Sequence, residues 1–188
     1  MSTIDKDYQY CEAIIKHHSK SFYYGFKQLP ETDAKAVYAV YAFCRIADDM
    51  VDQKGSVQYR KAELDRLSNQ FTQFEQDVII DQPMWRALDD VRHRYPLEIS
   101  AFKMQLAGQQ MDLVYTQPKT MADLEHYSRY VAGSVGRMLL PILSEDVTLE
   151  LKQNAEKLGI AMQITNILRD IGEDFKVHQR IYLPVQIM

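Results

Sequence analysis

Residues 36–52 read AVYAVYAFCRIADDMVD, nine apolar side chains running straight into an arginine and three aspartates. At about 100° per residue, Tyr41, Arg45, Asp48 and Asp52 fall within roughly 60° of one another on an α-helix, while Asp49 stands off that stripe. Two carboxylates one turn apart repel by about 0.2–0.5 kcal/mol even in water, and by more where the helix is partly buried. Arg45 offsets part of this. Mg²⁺ offsets it better, because it takes oxygen ligands from one or two carboxylates, substrate phosphates and water. Taken alone, the stretch fits a solvated helix face as well as it fits a cation site.

A second stretch breaks the tie. In GIAMQITNILRDIGEDF, residues 159–175, the side chains Gln163, Asn166, Asp170 and Asp174 are spaced three, four and four apart, again on one stripe. Ile160, Ile164, Ile167, Leu168 and Ile171 surround it, which predicts a helix with little surface left for water and an amide-and-acid stripe lining an internal polar site. Each stripe has an arginine close by, Arg45 and Arg169, although Arg169 lies off its stripe. Two such stripes are what a site binding polyphosphate through Mg²⁺ requires, with the arginines holding the same oxygens by charge-assisted hydrogen bonds.

Outward from these stretches the chain reads as helix nearly throughout. Apolar spacing predicts helices over 5–17 and 57–75, a helix capped by Thr32 or Asp33 and running to about Lys54 before Gly55, and helices over 120–143 and 146–176. Pro83 and Pro96 suit first helical turns, and Pro141 should bend or end its helix. No alternating strand appears, so the fold class is all-α, a bundle of long helices around a cavity or core.

With 188 residues and 46% hydrophobic content, the default is one domain spanning 1–188. The 22 basic and 26 acidic residues are interspersed and leave a net charge of −4, so no nucleic-acid footprint exists. Cys11 and Cys44 form no CxxC pair and read as packing thiols of a reducing cytosol. The longest apolar run, Ala36 to Cys44, is too short to span a bilayer. The expected location is cytoplasmic, with peripheral membrane contact if the substrate is oily.

Five segments carry a resemblance: HHSKSF (17–22), YAFCRIADDMVD (41–52), YVAGSVG (130–136), QITNILRDIGED (163–174) and RIYLP (180–184). Together they resemble the squalene/phytoene synthase family of head-to-head prenyl transferases, most closely its bacterial, dehydrosqualene-forming branch. The resemblance implies an isoprenoid-synthase helical bundle around a central apolar cavity, with the oily run walling the cavity and the acids at its mouth. It further implies that the chain is the N-terminal two-thirds of the usual family length, with the helices that close the pocket absent.

By the same resemblance, Asp48, Asp52, Asn166, Asp170 and Asp174 would ligate Mg²⁺, and His18, Ser19, Lys20, Ser21, Phe22, Phe26, Tyr41, Arg45, Gln163, Asn166 and Arg169 would contact substrate. Tyr127 joins Arg45 and the four aspartates in the catalytic set. Asp49 and Glu173 are left as supporting or solvated acids, and His17 as solvent-facing. The implied reaction condenses two molecules of farnesyl diphosphate through presqualene diphosphate to dehydrosqualene, for carotenoid biosynthesis. Three alternatives stay open: a phytoene synthase using geranylgeranyl diphosphate, a squalene synthase using NADPH, and a catalytically silent helical scaffold. Phe22 and Phe26 favour the shorter substrate by occupying volume. Ala132, Gly133, Ser134 and Gly136 leave room either for a ligand tail or for close helix packing, and the oligomeric state is open.

Overall fold

The computed structural model describes residues 2–187 and bears out the all-α expectation: among them helices and short connectors account for the chain. The α-helices are α1 (Thr3–His18), α2 (Lys20–Phe26), α3 (Glu31–Asp52), α4 (Val57–Glu75), α5 (Pro83–Arg94), α6 (Ile99–Leu113), α7 (Met121–Ser128), α8 (Ser134–Leu143) and α9 (Leu149–His178). A π-helical turn, Arg129–Gly133, joins α7 to α8, and a 3₁₀ turn, Val185–Ile187, ends the described chain.

The hub is α3. It packs against α1, α4, α5, α6 and α8, which is why Ala36 to Val40 and Ala42 to Cys44 are buried with no polar face among them. Tyr41 is the half-exposed member of the run. The oily stretch therefore backs the site as packed core rather than lining it directly. Behind α3, Phe43 meets Phe102, Phe71 and Trp85 with ring centroids 5.1, 5.8 and 5.9 Å apart, the offset and edge-on geometry that aromatic quadrupoles prefer. Trp85 keeps its indole N–H satisfied by donating to Gln70 Oε1 at 3.2 Å. On the far side, Asp7 of α1, only 2% exposed, receives both Nε and Nη2 of Arg86 on α5, at 2.8 and 2.6 Å. Removing Arg86 would strand the buried Asp7 charge, whereas Arg86 is partly exposed and also pairs with Asp81.

Several helix limits differ from those read in the sequence. The helix expected to start at Thr32 or Asp33 begins at Glu31, directly after Pro30, with no side-chain cap. Asp33 is instead drawn to the hydroxyl of Tyr95, a tertiary partner that local pattern does not reveal. Pro83 does open α5, whereas Pro96 sits in the connector before α6. The helix expected over 120–143 runs without a break from Met121 to Leu143 but passes through the π-turn, and Pro141 lies in the last turn of α8, which ends at Leu143. The predicted 57–75 helix is found as α4.

The small residues of YVAGSVG resolve into helix packing. A Cβ on Gly136 would lie 2.3 Å from the carbonyl oxygen of Ala155 in α9, and one on Gly159 would lie 2.3 Å from that of Ala132. The two backbones approach as closely as glycine permits, and this contact fixes α9 against α8. Ser134, also small, returns its hydroxyl to the carbonyl of Tyr130 at 2.6 Å.

The reading of α9 as apolar on every side apart from its acidic stripe is corrected. Ile167 is 3% exposed, but Leu158, Leu168 and Phe175 are 62%, 57% and 50% exposed. This helix packs on α7, α8 and the π-turn along one side, and among the described residues nothing covers the opposite side. Periodicity marked the residues as apolar and could not tell which face finds a partner.

The α8–α9 contact yields a test. Gly136→Ala and Gly159→Ala are each expected to lower the free energy of unfolding by about 1–3 kcal/mol through overpacking against backbone that cannot yield. Urea unfolding followed by circular dichroism measures it, and wild-type midpoints for both variants would contradict the packing account.

Candidate functional site

Three of the helices that line the site carry the side chains selected from the sequence. The last two turns of α3 emerge from the core carrying Arg45, Asp48 and Asp52; α9 presents Gln163, Asn166, Arg169, Asp170 and Asp174 across the gap; and α7 contributes Tyr127. These nine sequence-selected side chains line one cleft of about 310 Å³. The two acidic stripes, 118 residues apart between Asp52 and Asp170 in the chain, do face one another.

The remaining selected residues lie outside that lining, at the junction of α1, α2 and α3. Ser19 caps α2 by accepting from the backbone N–H of Phe22 at 3.4 Å, and Lys20, Ser21 and Phe22 are exposed. Phe22 stacks on Phe26 at 5.9 Å between centroids and meets Tyr41 edge-on at 6.5 Å. Tyr41 lies one turn before Arg45, so this aromatic group continues the α3 stripe away from the acids. His18 is exposed, yet partial burial and then the Arg45 guanidinium lower its pKa, which places it beside the Arg45 end of the site.

Four cleft residues escaped the sequence reading: Gln109, Asp112, Arg180 and Tyr182. The first two had a readable signal. Gln105, Gln109 and Asp112 repeat at intervals of four and three along α6, the same spacing that marked α3, and all three are buried. Arg180 and Tyr182 sit in RIYLP, whose pattern alone assigns no role to its members.

Electrostatics separates the carboxylates. Asp48 accepts from the Nε2 amide of Gln109. Burial, aided by Asp52, Asp112 and Asp49 and opposed by Arg45, pushes the Asp48 carboxyl up to about 7. Asp112 is raised in the same direction, again chiefly by burial. Asp170 goes the other way: Arg169 grips it through Nε and Nη2 at 2.7 and 2.6 Å and lowers its pKa. Arg45 pairs with Asp49, the acid set aside from the stripe. Tyr127 donates to Asp112 Oδ2 at 3.0 Å, and burial followed by that carboxylate raises its phenol well above the ordinary range.

The donor set fits a hard divalent cation that is shared with a ligand. Among the described residues no three acidic, histidine or cysteine side chains converge tightly enough to enclose a metal by themselves. Carboxylates offered in ones and twos from facing helices, one of them costly to ionise unless compensated, instead suit a cation whose shell is completed by phosphate oxygens and water. Arg45 and Arg169 add cationic donors with the fork geometry that phosphate favours.

The chain is similar to several known proteins. The family model described as Squalene/phytoene synthase matches residues 15–188. The chain is 38% identical to a 4,4'-diapophytoene synthase of Staphylococcus haemolyticus, covering 97% of this chain and 64% of that protein. It is 36% identical to a 15-cis-phytoene synthase of Synechococcus elongatus, covering 98% and 63%. Among solved structures it superposes on a dehydrosqualene synthase in complex with ligand with a TM-score of 0.90 at 49% identity, covering 96% and 62%. A squalene synthase of Alicyclobacillus acidocaldarius aligns with a TM-score of 0.86 at 27% identity, covering 96% and 67%. The chain thus spans just under two-thirds of the length of the curated relatives it matches.

A titration follows from Asp48. Because its folded pKa of about 7 lies above the ordinary aspartate value of 3.8, the folded chain holds a proton that the unfolded chain has lost across that window. Stability should therefore fall as pH rises from about 4 to 7, with the full penalty present above 7. In metal-free buffer at pH 8, Asp48→Asn is expected to be more stable than wild type by roughly 2–4 kcal/mol, with the difference vanishing near pH 3. Thermal unfolding across pH checks this; equal stability at pH 8 would contradict the burial.

Proposed function

This chain belongs to the squalene/phytoene synthase family, and from that premise we propose that it carries the diphosphate-binding half of a Mg²⁺-dependent synthase joining two farnesyl diphosphates head to head, through presqualene diphosphate, to dehydrosqualene. The observation that carries this reading is the convergence of Asp48 and Asp52 with Asn166, Asp170 and Asp174 on one cleft that also holds Arg45 and Arg169.

In the proposed reaction the bound cation would neutralise diphosphate and make it a competent leaving group. The chain's own residues do the rest. Asp48 and Asp52 on α3 and Asn166, Asp170 and Asp174 on α9 would hold the cation from opposite sides. Arg45 and Arg169 would direct N–H donors at the departing anion, and Gln163 would add a neutral one. His18, Ser19, Lys20 and Ser21 stand at the Arg45 end of the stripe, where a second diphosphate would meet a cationic and hydroxyl rim. Tyr127, oriented by Asp112, presents a polar edge to the reacting carbons. The packed core behind α3 excludes water from that side, which a carbocation requires.

Phe22, Phe26 and Tyr41 support the C15 substrate. Their ring contacts make one aromatic group on the α3 stripe before Arg45, which in this reading would limit the length of the prenyl chain and offer π faces to a cationic intermediate. The similarity to a diapophytoene synthase points the same way. The similarity to a phytoene synthase keeps geranylgeranyl diphosphate as the second reading. Membrane contact is proposed only as peripheral, for release of an apolar product, since among the described residues no helix is long and apolar enough to cross a bilayer.

Two measurements test the reading. Inorganic diphosphate with Mg²⁺ should bind the chain, and Asp170→Asn should weaken that binding at least tenfold; unchanged affinity sinks the metal assignment. Incubation with each prenyl diphosphate, with and without NADPH, should give dehydrosqualene from the C15 substrate alone. Phe26→Ala is expected to admit the C20 substrate, and exclusive phytoene formation by wild type would overturn the choice.

A further inference from the structure

Beyond α9 the chain reverses at Gln179, which adopts a left-handed conformation with φ of 55°, and runs back across the bundle as a strap. The loop after α6 holds that strap. Tyr115 accepts from the backbone N–H of Ile181 at 2.9 Å, Gln117 Nε2 donates to the carbonyl of Leu183 at 2.9 Å, and the N–H groups of Val185 and Gln186 donate to the carbonyls of Pro118 and Lys119 at 3.0 and 3.1 Å. The strap is thereby fixed at both ends, and it carries two side chains inward, Arg180 and Tyr182.

Arg180 is 7% exposed and reaches three separate parts of the molecule. Its Nη1 donates to Asp52 Oδ1 at 3.0 Å and to the Tyr182 hydroxyl at 3.2 Å, while Nη2 donates to the backbone carbonyl of Asp112 at 3.1 Å. Tyr182 in turn donates to Asp112 Oδ1 at 2.8 Å, and its ring stacks on Tyr127 at 5.0 Å. Asp112 thus receives a tyrosine on each oxygen: Tyr182 on one, Tyr127 on the other. Asp52 on α3 is thereby linked to Tyr127 on α7 through this guanidinium and the carboxylate beside it.

We propose that Arg180 is a positioning residue for the cleft, a brace that sets the Asp52 carboxylate and, through Asp112 and Tyr182, the Tyr127 hydroxyl in fixed relation to each other. The inference rests on the reading above that the cleft takes Mg²⁺ with diphosphate. A planar fork is needed because its partners are a carboxylate, a phenol and a peptide carbonyl in different directions, and a lysine ammonium in the same place keeps the charge but reaches fewer of them. Arg180 need not touch substrate to act. Misplacing one ligand and one hydroxyl by about 1 Å is enough to cost a large factor in binding or rate.

The test uses the 188-residue chain with 3-fluorotyrosine placed at position 127, and compares wild type, Arg180→Lys and Arg180→Gln. All three should give the same helical content by circular dichroism. The fluorine resonance of residue 127 is expected to shift and broaden in both variants, and binding of Mg²⁺ with inorganic diphosphate is expected to weaken about tenfold in Arg180→Lys and further in Arg180→Gln. Adding Asp112→Asn to Arg180→Gln should cost at most a further twofold, because the two act through one contact. A wild-type fluorine signal in the variants, or affinity within twofold of wild type, overturns the proposal. If wild type itself binds no Mg²⁺ with diphosphate, the functional reading falls, and the fluorine signal alone then decides the role of Arg180.

Discussion

Like charges brought together out of water must be compensated, and much of this structure answers that requirement. Five aspartates from three helices line one cleft, where their mutual repulsion and loss of hydration would each favour separation. The chain answers locally with arginines: Arg169 on Asp170, Arg180 on Asp52, and Arg45 on the neighbouring Asp49. Among the described residues Asp48 has the amide of Gln109 and the field of Arg45, and it is the carboxylate that burial pushes furthest from its ordinary state. The least compensated acid is also the one with the most to gain from an added cation.

The scaffold that tolerates this strain is a hub helix packed on several sides. The first four turns of α3 are clamped by the aromatic cluster around Phe43 and by α1, itself anchored through Asp7 and Arg86. Its last two turns stay anchored as well, by burial of Ala47 and Val51 and by Arg60, which donates to the carbonyl of Val51 at 2.7 Å. On the facing side, α9 is held by close backbone contact at Gly136 and Gly159 and by ion pairs of Glu156 with Arg129 and Arg137. Rigid mounting of both acid-bearing helices is what lets like charges persist opposite one another instead of relaxing apart.

How much of this was legible in the sequence depended on whether the signal was local. The stripes at 41–52 and 163–174 could be read because helical spacing is a property of one segment, and so could α4, whose apolar and polar faces alternate cleanly. Asp112 and Gln109 obey the same spacing but sit in a helix whose polar residues resemble ordinary surface until their neighbours are known. Asp33 looked like a cap and bonds Tyr95, 62 residues away. The small residues 132–136 fitted a ligand tail or a helix crossing equally well, and only the position of Ala155 decides between them. The exposed leucines of α9 show the converse error, in which apolar character was mistaken for burial.

The π-turn at Arg129–Gly133 has a consequence of its own. A π-turn holds one residue more than the α-helical path across the same gap, so it works as a phase shifter between the helix before it and the helix after it. Downstream, α8 is locked against α9 by Gly136, and upstream Tyr127 must point at Asp112. These two demands differ by one residue of helical phase, about 100° of rotation. A single-residue deletion anywhere in 129–133 would leave an unbroken and more regular α-helix while turning Tyr127 away from the cleft.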